Sequence, residues 1–226
     1  MTPAALAQSF GFAVFLGVLL FLPAGRIDWW QGWAFIGIFS VCSLATGYWL
    51  AATNPELLAE RRRSPTSGGQ TPRDRAIMAA LLVAVLAWVV VMPLDAQRFH
   101  WSPPLPIWLQ VAGAALVVLA FWSWSRVLEA NSFAATTIRV QQERAQTVIS
   151  TGPYAVVRHP MYADALFLFV GAPLLLGSLW GLAILVVILP ILAARALGEE
   201  AVLFDGLPGY RDYAAKVRFR LIPGVW

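Results

Sequence analysis

Charge is what this sequence has least of. Asp, Glu, Lys and Arg together make up 12% of its 226 residues, against ~25% in a soluble domain, and 59% of the residues are hydrophobic. A soluble fold of this length has far too much surface to cover with so few charges. An ordinary soluble domain and a disordered chain are both excluded. Cysteine is nearly absent: Cys42, within an apolar run, is the single one, so there is neither a disulfide framework nor a Cys-based metal site. Two histidines, His100 and His159, are too few for a multi-histidine metal site. No Lys or Arg precedes the first apolar run, so the N-terminus does not read as a cleaved signal peptide. The composition is that of an integral membrane protein. Its net charge of +4 comes from 15 Arg and one Lys, Lys216, which suits a cytoplasmic membrane face and not nucleic acid. The same Arg bias, with abundant Ala, suggests a GC-rich bacterial source and hence a bacterial inner membrane.

Uncharged stretches supply the organisation. Residues 2–25, 29–55, 76–94 and 107–125 are each long enough to cross a ~30 Å hydrocarbon core as helices. The fifth stretch, Ala165–Ala194, is long for one span and short for two, and Gly177-Ser178-Leu179-Trp180-Gly181 in its middle predicts a hairpin of two short helices. Basic residues favour that hairpin. With it, fourteen Lys and Arg fall on one side of the membrane and only Arg26 and Arg98 on the other, as the positive-inside rule requires. The expected fold is therefore all-α: a polytopic membrane bundle of about six segments with both termini cytoplasmic. Trp29, Trp30, Trp33, Trp101, Trp108 and Trp180 mark the outer boundary, and Trp49, Trp122 and Trp124 the inner one. Arg61-Arg62-Arg63 reads as a topology anchor, and the linker Arg61–Arg75, which includes Ser64–Gly69, as a flexible cytoplasmic loop. Asp164 reads as a solvated end residue or as an acceptor-side hydrogen-bonding group, and the amphipathic tail begins at Arg195.

Polar residues crowd into 139–164 and 195–213, and the hairpin brings those two segments together. The first holds Gly152-Pro153-Tyr154, then Arg158-His159-Pro160-Met161-Tyr162. The second holds Arg195-Ala196-Leu197-Gly198-Glu199-Glu200, then Gly209-Tyr210 and Tyr213. This ordered pair of motifs resembles the isoprenylcysteine carboxyl methyltransferase and phospholipid methyltransferase superfamily of integral membrane methyltransferases. A weaker likeness starts at Asn54-Pro55-Glu56-Leu57, so it covers roughly the last three quarters of the chain.

The resemblance implies a cofactor, S-adenosyl-L-methionine, and a methyl acceptor that is hydrophobic or lipid-like, either isoprenylcysteine-carboxylate-like or phospholipid-amine-like. It implies that Gln146, Thr147, Val148, Ile149, Tyr154, His159, Pro160, Met161, Tyr162 and Glu199 contact the cofactor, joined by Gln141 or Gln142 and by Glu200. Arg195 is then the substrate-side residue, holding an acceptor carboxylate through its planar fork, and Arg195 with Glu199 forms the catalytic pair. A surface helix pair is the plainer reading of Arg195 and Glu199, at i and i+4. Tyr210 and Tyr213 serve as interface anchors or as cofactor contacts. Gln146 stands where the carboxyl methyltransferase branch has His, which bears on the substrate and not on the cofactor. The division expected is residues 1–130 as transmembrane helices with a cytoplasmic linker at 53–75, and 131–226 as the catalytic region. Two rivals survive: an NADPH-dependent membrane reductase of the sterol type, and a non-enzymatic membrane scaffold. The reductases carry a histidine in the tail, and here no histidine follows His159.

Overall fold

The computed structural model describes residues 3–62 and 71–226, with side chains from residue 7 onward. Ser64–Gly69 and Arg63 lie outside the described residues. Every regular element among the described residues is helical. Helix α1 (Pro3–Ala24) ends at Gly25, whose φ of 71° only glycine adopts without strain. Helix α2 (Trp30–Thr53) stops where Asn54 precedes Pro55, because a residue before proline is disfavoured in the helical region. Asn54 then starts α3 (Pro55–Arg62), its Oδ1 accepting from Leu57 N at 3.0 Å. Thr71 caps α4 (Pro72–Pro93) in the same way, accepting from Asp74 N at 3.1 Å. A π-helical turn, Leu94–Phe99, continues α4, and α5 spans Ile107–Ala130. After an irregular stretch come α6 (Pro160–Leu176), the short α7 (Leu179–Ala183), α8 (Leu185–Gly206) and α9 (Tyr210–Lys216).

Among the described residues five helical runs are long and apolar enough to cross a membrane: Ala7–Ala24, Trp30–Thr53, Pro72–Phe99, Ile107–Ala130 and Leu179–Gly206. Helix α6 is apolar but has 17 residues, a rise of about 25 Å. The protein is thus a multi-pass, all-helical membrane protein.

The expected hairpin exists, but its arms are unequal. It turns at Gly177 (φ 81°) and Ser178, as the glycines suggested. Its second arm is not short, because α7 and α8 together run 28 residues. On sequence alone the tail begins at Arg195, yet α8 carries Arg195, Glu199 and Glu200 and ends only at Gly206. Likewise α4 begins at Pro72 and not at residue 76, and so includes Arg73, Asp74 and Arg75. Charge ends a hydrophobic stretch without ending a helix, since the backbone ladder is indifferent to side-chain solvation. Those extra turns carry the site.

Packing is tightest where α5 crosses α6. A Cβ on Gly171 would stand 2.7 Å from Gly113 O and 2.8 Å from Leu116 Cβ, so the two backbones touch, as small residues allow in membranes. One core cluster joins α1, α2, α4, α5, α6 and α8 through Leu20, Trp29, Met92, Val117, Leu176 and Ile188. At the far end from the polar motifs, Asp95 is fully buried and fully used. It accepts from Ser102 N (2.7 Å), Ser102 Oγ (2.6 Å), Ser178 Oγ (2.6 Å) and Trp180 N (3.3 Å). The hairpin turn is pinned there, under the stacked Phe99–Trp101 pair and Trp180.

Candidate active site

Helix α6 begins at His159-Pro160, proline occupying the first turn, where its missing N–H costs nothing. The following turn, Met161-Tyr162, faces the last turns of α8. The tail returns over both: Arg158 N donates to Phe219 O and His159 N to Arg220 O, each at 2.9 Å. The two motifs, forty residues apart in sequence, meet as a result.

Adjacent glutamates divide the work. Glu200 is 3% exposed. It accepts from Arg158 Nε at 2.6 Å and Arg220 Nε at 2.9 Å, with His159 Nε2 at 3.4 Å. Arg158 also donates to the carbonyls of Ala214, Val217 and Arg218, closing the C-terminus of α9. A buried guanidinium and a half-buried one on a single carboxylate form a structural anchor for the tail. Glu199 points the other way. Its side chain is 31% exposed, and Oε2 accepts from Tyr162 Oη at 2.8 Å with His159 Nδ1 at 3.7 Å. The His159 ring lies between the two carboxylates and stacks on Tyr162 at 5.7 Å.

Glu199 opens into a polar cleft. The walls include Gln146, Thr147, Val148, Ile149, Tyr154 and Met161, all expected from the sequence. They also include Asn131, Phe133, Leu203, Leu207, Tyr210 and Tyr213. Asn131 Nδ2 donates to Tyr154 Oη at 2.8 Å, and Tyr213 Oη donates to Tyr154 O at 2.8 Å. Burial pushes the Tyr154 and Tyr210 phenols well up and the Tyr213 phenol up to about 12, so all three stay neutral donors at physiological pH. Tyr210 is 4% exposed, and among the described residues its Oη has no hydrogen-bond partner. A buried hydroxyl left unpaired beside a cleft is a donor that an acceptor in the cleft would satisfy.

Other expected site residues stand behind this wall. Gln141 is buried and ties the loop together: Nε2 donates to Phe133 O at 2.7 Å, Oε1 accepts from Arg144 at 2.7 Å, and its N–H donates to Gln146 Oε1 at 2.8 Å. His159 and Tyr162 position Glu199, and Pro160 sets the start of α6. Glu200 does not line the cleft. Arg195 is not the surface partner of Glu199. It is 7% exposed, donates to Thr136 O at 2.7 Å and to Met78 Sδ, and lies 5.9 Å over the Tyr162 ring. It borders a separate cavity, and one arm of its fork is taken by the Thr136 carbonyl.

Three plainer readings are also corrected. Asp164 is buried, accepting from Ser123 Oγ at 2.6 Å, and is no solvated end residue. Arg61 does more than anchor topology, since it donates to Ala134 O at 2.8 Å and stacks over Trp124 at 5.5 Å, bracing the cleft wall. Tyr210 and Tyr213 belong to the cleft. The Gly-x-x-Tyr spacing was the signal for those two, whereas nothing local marked Asn131.

Fold and site define a polytopic helical membrane protein with a polar cleft where its spans meet the basic end. Residues 108–205, which hold α5 through the last turns of α8, match the model of the phospholipid methyltransferase family. No curated protein matches the chain by sequence.

Proposed function

We propose that the protein transfers a methyl group from S-adenosylmethionine to a lipid-like acceptor at the cytoplasmic face of a bacterial inner membrane, with residues 131–226 forming most of the catalytic region. The observation that carries this reading is the cleft itself. Seven side chains singled out by the methyltransferase resemblance, Glu199 among them, converge on one cavity whose wall also holds the unpaired Tyr210 hydroxyl.

The donor set fits the cofactor. Glu199 supplies a carboxylate for hydroxyl or ammonium hydrogens, Tyr210 and Thr147 supply polar contacts, and Val148, Ile149, Leu203 and Leu207 supply an apolar wall for a purine. The cofactor, when bound, contributes a sulfonium methyl group as electrophile. The chain's own part is to hold that methyl in line with the acceptor and to keep water away, because displacement at carbon depends more on positioning than on acid–base work. Tyr162 and His159 fix the Glu199 carboxylate from behind. The space within the cleft, which is partly open to solvent, is about 80 Å³, less than a nucleoside fills. Binding therefore moves the irregular 131–150 segment outward and orders it on the ligand.

Detergent-purified protein titrated with S-adenosylhomocysteine and with NADPH tests this. The expected result is saturable binding of S-adenosylhomocysteine, slower amide exchange across 133–150 in the complex, and no NADPH binding. Binding of NADPH instead supports the reductase, and binding of neither supports a scaffold. The family match of residues 108–205 favours methyl transfer over both rivals.

A further inference from the structure

A second cavity, of about 520 Å³, lies across Ile138 and Arg139 from the cleft, and those two residues line both. Its walls come from the first turns of α4, the 138–140 segment and α8, with Asp74 and Arg195 facing it. Asp74 is 7% exposed, and among the described residues neither of its carboxylate oxygens has a hydrogen-bond partner. A buried carboxylate without donors is costly, and native structures retain such groups where they act on something else.

The neighbours are committed elsewhere. Thr71 Oγ1 accepts from Asp74 N and gives nothing to the carboxylate. Arg139 is held by Glu60 at 2.7 Å and Glu143 at 2.5 Å. Arg195 engages Thr136 and Met78, leaving its buried Nε without a partner among the described residues. Arg195, on the wall of this cavity, lies 5.9 Å over the Tyr162 ring, and the Tyr162 hydroxyl donates to Glu199, so a single side chain links this cavity to the carboxylate that opens into the cleft.

We propose that this second cavity seats the head group of the methyl acceptor, and that Asp74 accepts the acceptor's proton. The acceptor is then a nucleophile that carries a hydrogen, an amine or a thiol, and not a carboxylate. The inference rests on the methyltransferase reading above. A carboxylate acceptor set against Asp74 would meet a like charge in a poorly solvated space. An N–H or S–H instead donates to the orphaned oxygens, which turns the lone pair of the acceptor atom away from Asp74. As that lone pair forms the bond to the methyl carbon, the carbon–sulfur bond breaks and its electron pair stays on sulfur. The acceptor's proton passes to the Asp74 carboxylate. A sulfonium cation and a carboxylate anion are neutralised together, which a low-dielectric site favours. The free Nε–H of Arg195 serves an oxygen elsewhere in the head group.

Purified protein in detergent, given methyl-labelled S-adenosylmethionine and a total lipid extract, tests the proposal by the linkage of the product. Methyl esters release volatile methanol in mild base, whereas N- and S-methyl products are stable, and their masses tell amine from thiol. The expected label is base-stable. Asp74→Asn lowers turnover about 100-fold or more, the scale of a lost general base, while Asp74→Glu restores part of it. Affinity for S-adenosylhomocysteine, measured by calorimetry on the same preparations, stays within about threefold of wild type, which shows that the variants are folded. Base-labile label, or an Asp74→Asn variant with wild-type turnover, overturns the proposal while leaving the methyltransferase reading intact. A wild-type protein that does not bind S-adenosylhomocysteine overturns the methyltransferase reading itself.

Discussion

Glu199 and Glu200 are neighbours in sequence with opposite surroundings, and helical geometry is the cause: successive residues point about 100° apart. Glu200 faces the tail and neutralises Arg158 and Arg220, whereas Glu199 faces the cleft. Replacing them separates stability from binding. Glu200→Ala leaves the Arg158 guanidinium, 7% exposed as a side chain, buried and unpaired. Breaking a buried pair from one side costs about 3–5 kcal/mol, so a thermal melt in detergent should drop by several degrees. Glu199→Gln keeps the shape and loses the charge; its melt stays near wild type, and S-adenosylhomocysteine binding weakens by about 1–3 kcal/mol. If both variants melt alike and bind alike, the division between them is wrong. At this scale the motif Arg-His-Pro-x-Tyr was legible from sequence, because each member is chemically distinctive. Which of the two glutamates faces the cleft was not, since both belong to the motif and only the position of the returning tail separates them.

Among the elements, the hairpin of α6 with α7 and α8 decides whether a site exists at all. Two contacts hold it. Gly171 against Gly113 lets α6 lie directly on α5, and Asp95 collects the donors of Ser102, Ser178 and Trp180 around the turn. Gly171→Val forces a branched side chain into the Gly113 backbone, where neither helix can yield without moving its partner. Overpacking of this kind costs about 1–3 kcal/mol or more, and the cleft at the other end of α6 moves with it. We expect a lower melting temperature together with weakened S-adenosylhomocysteine binding, although Gly171 lies far from the cleft. A lowered melt with unchanged affinity would show that the two ends of α6 are uncoupled. The glycines at 177–181 announced the turn in advance, because few other residues take its left-handed conformation. The unequal arms were hidden, since Arg195, Glu199 and Glu200 end the hydrophobic stretch while the helix continues through them.

For the whole molecule, the distribution of charge fixes a direction. The Arg98 guanidinium lies against Gly25 beside Arg26 at one end, with Trp101 and Trp180. Arg61, Arg139, Arg144, Arg158 and Arg195 gather at the other end, around the cleft and second cavity. Under the positive-inside rule we expect that end to face the cytoplasm. Reporter fusions after Gly69 and at Trp226 should both read cytoplasmic; an external reading at Trp226 would remove the site from its soluble cofactor and sink the orientation. Composition alone determined that the chain lives in a membrane, since so few charges cannot solvate a soluble surface, and the residue pattern alone singled out the two polar motifs, since a motif is a list of chemical types in order. Tertiary structure alone decided that Asp74, from a helix start that read as linker, shares a cavity with Arg195, and that Asn131 lies within the cleft wall. The physical reason is range. Hydropathy and capping act over a few residues and are written locally, whereas the approach of α4 to α8 and the return of the tail over α6 depend on packing between segments more than a hundred residues and some sixty residues apart, which no local pattern encodes.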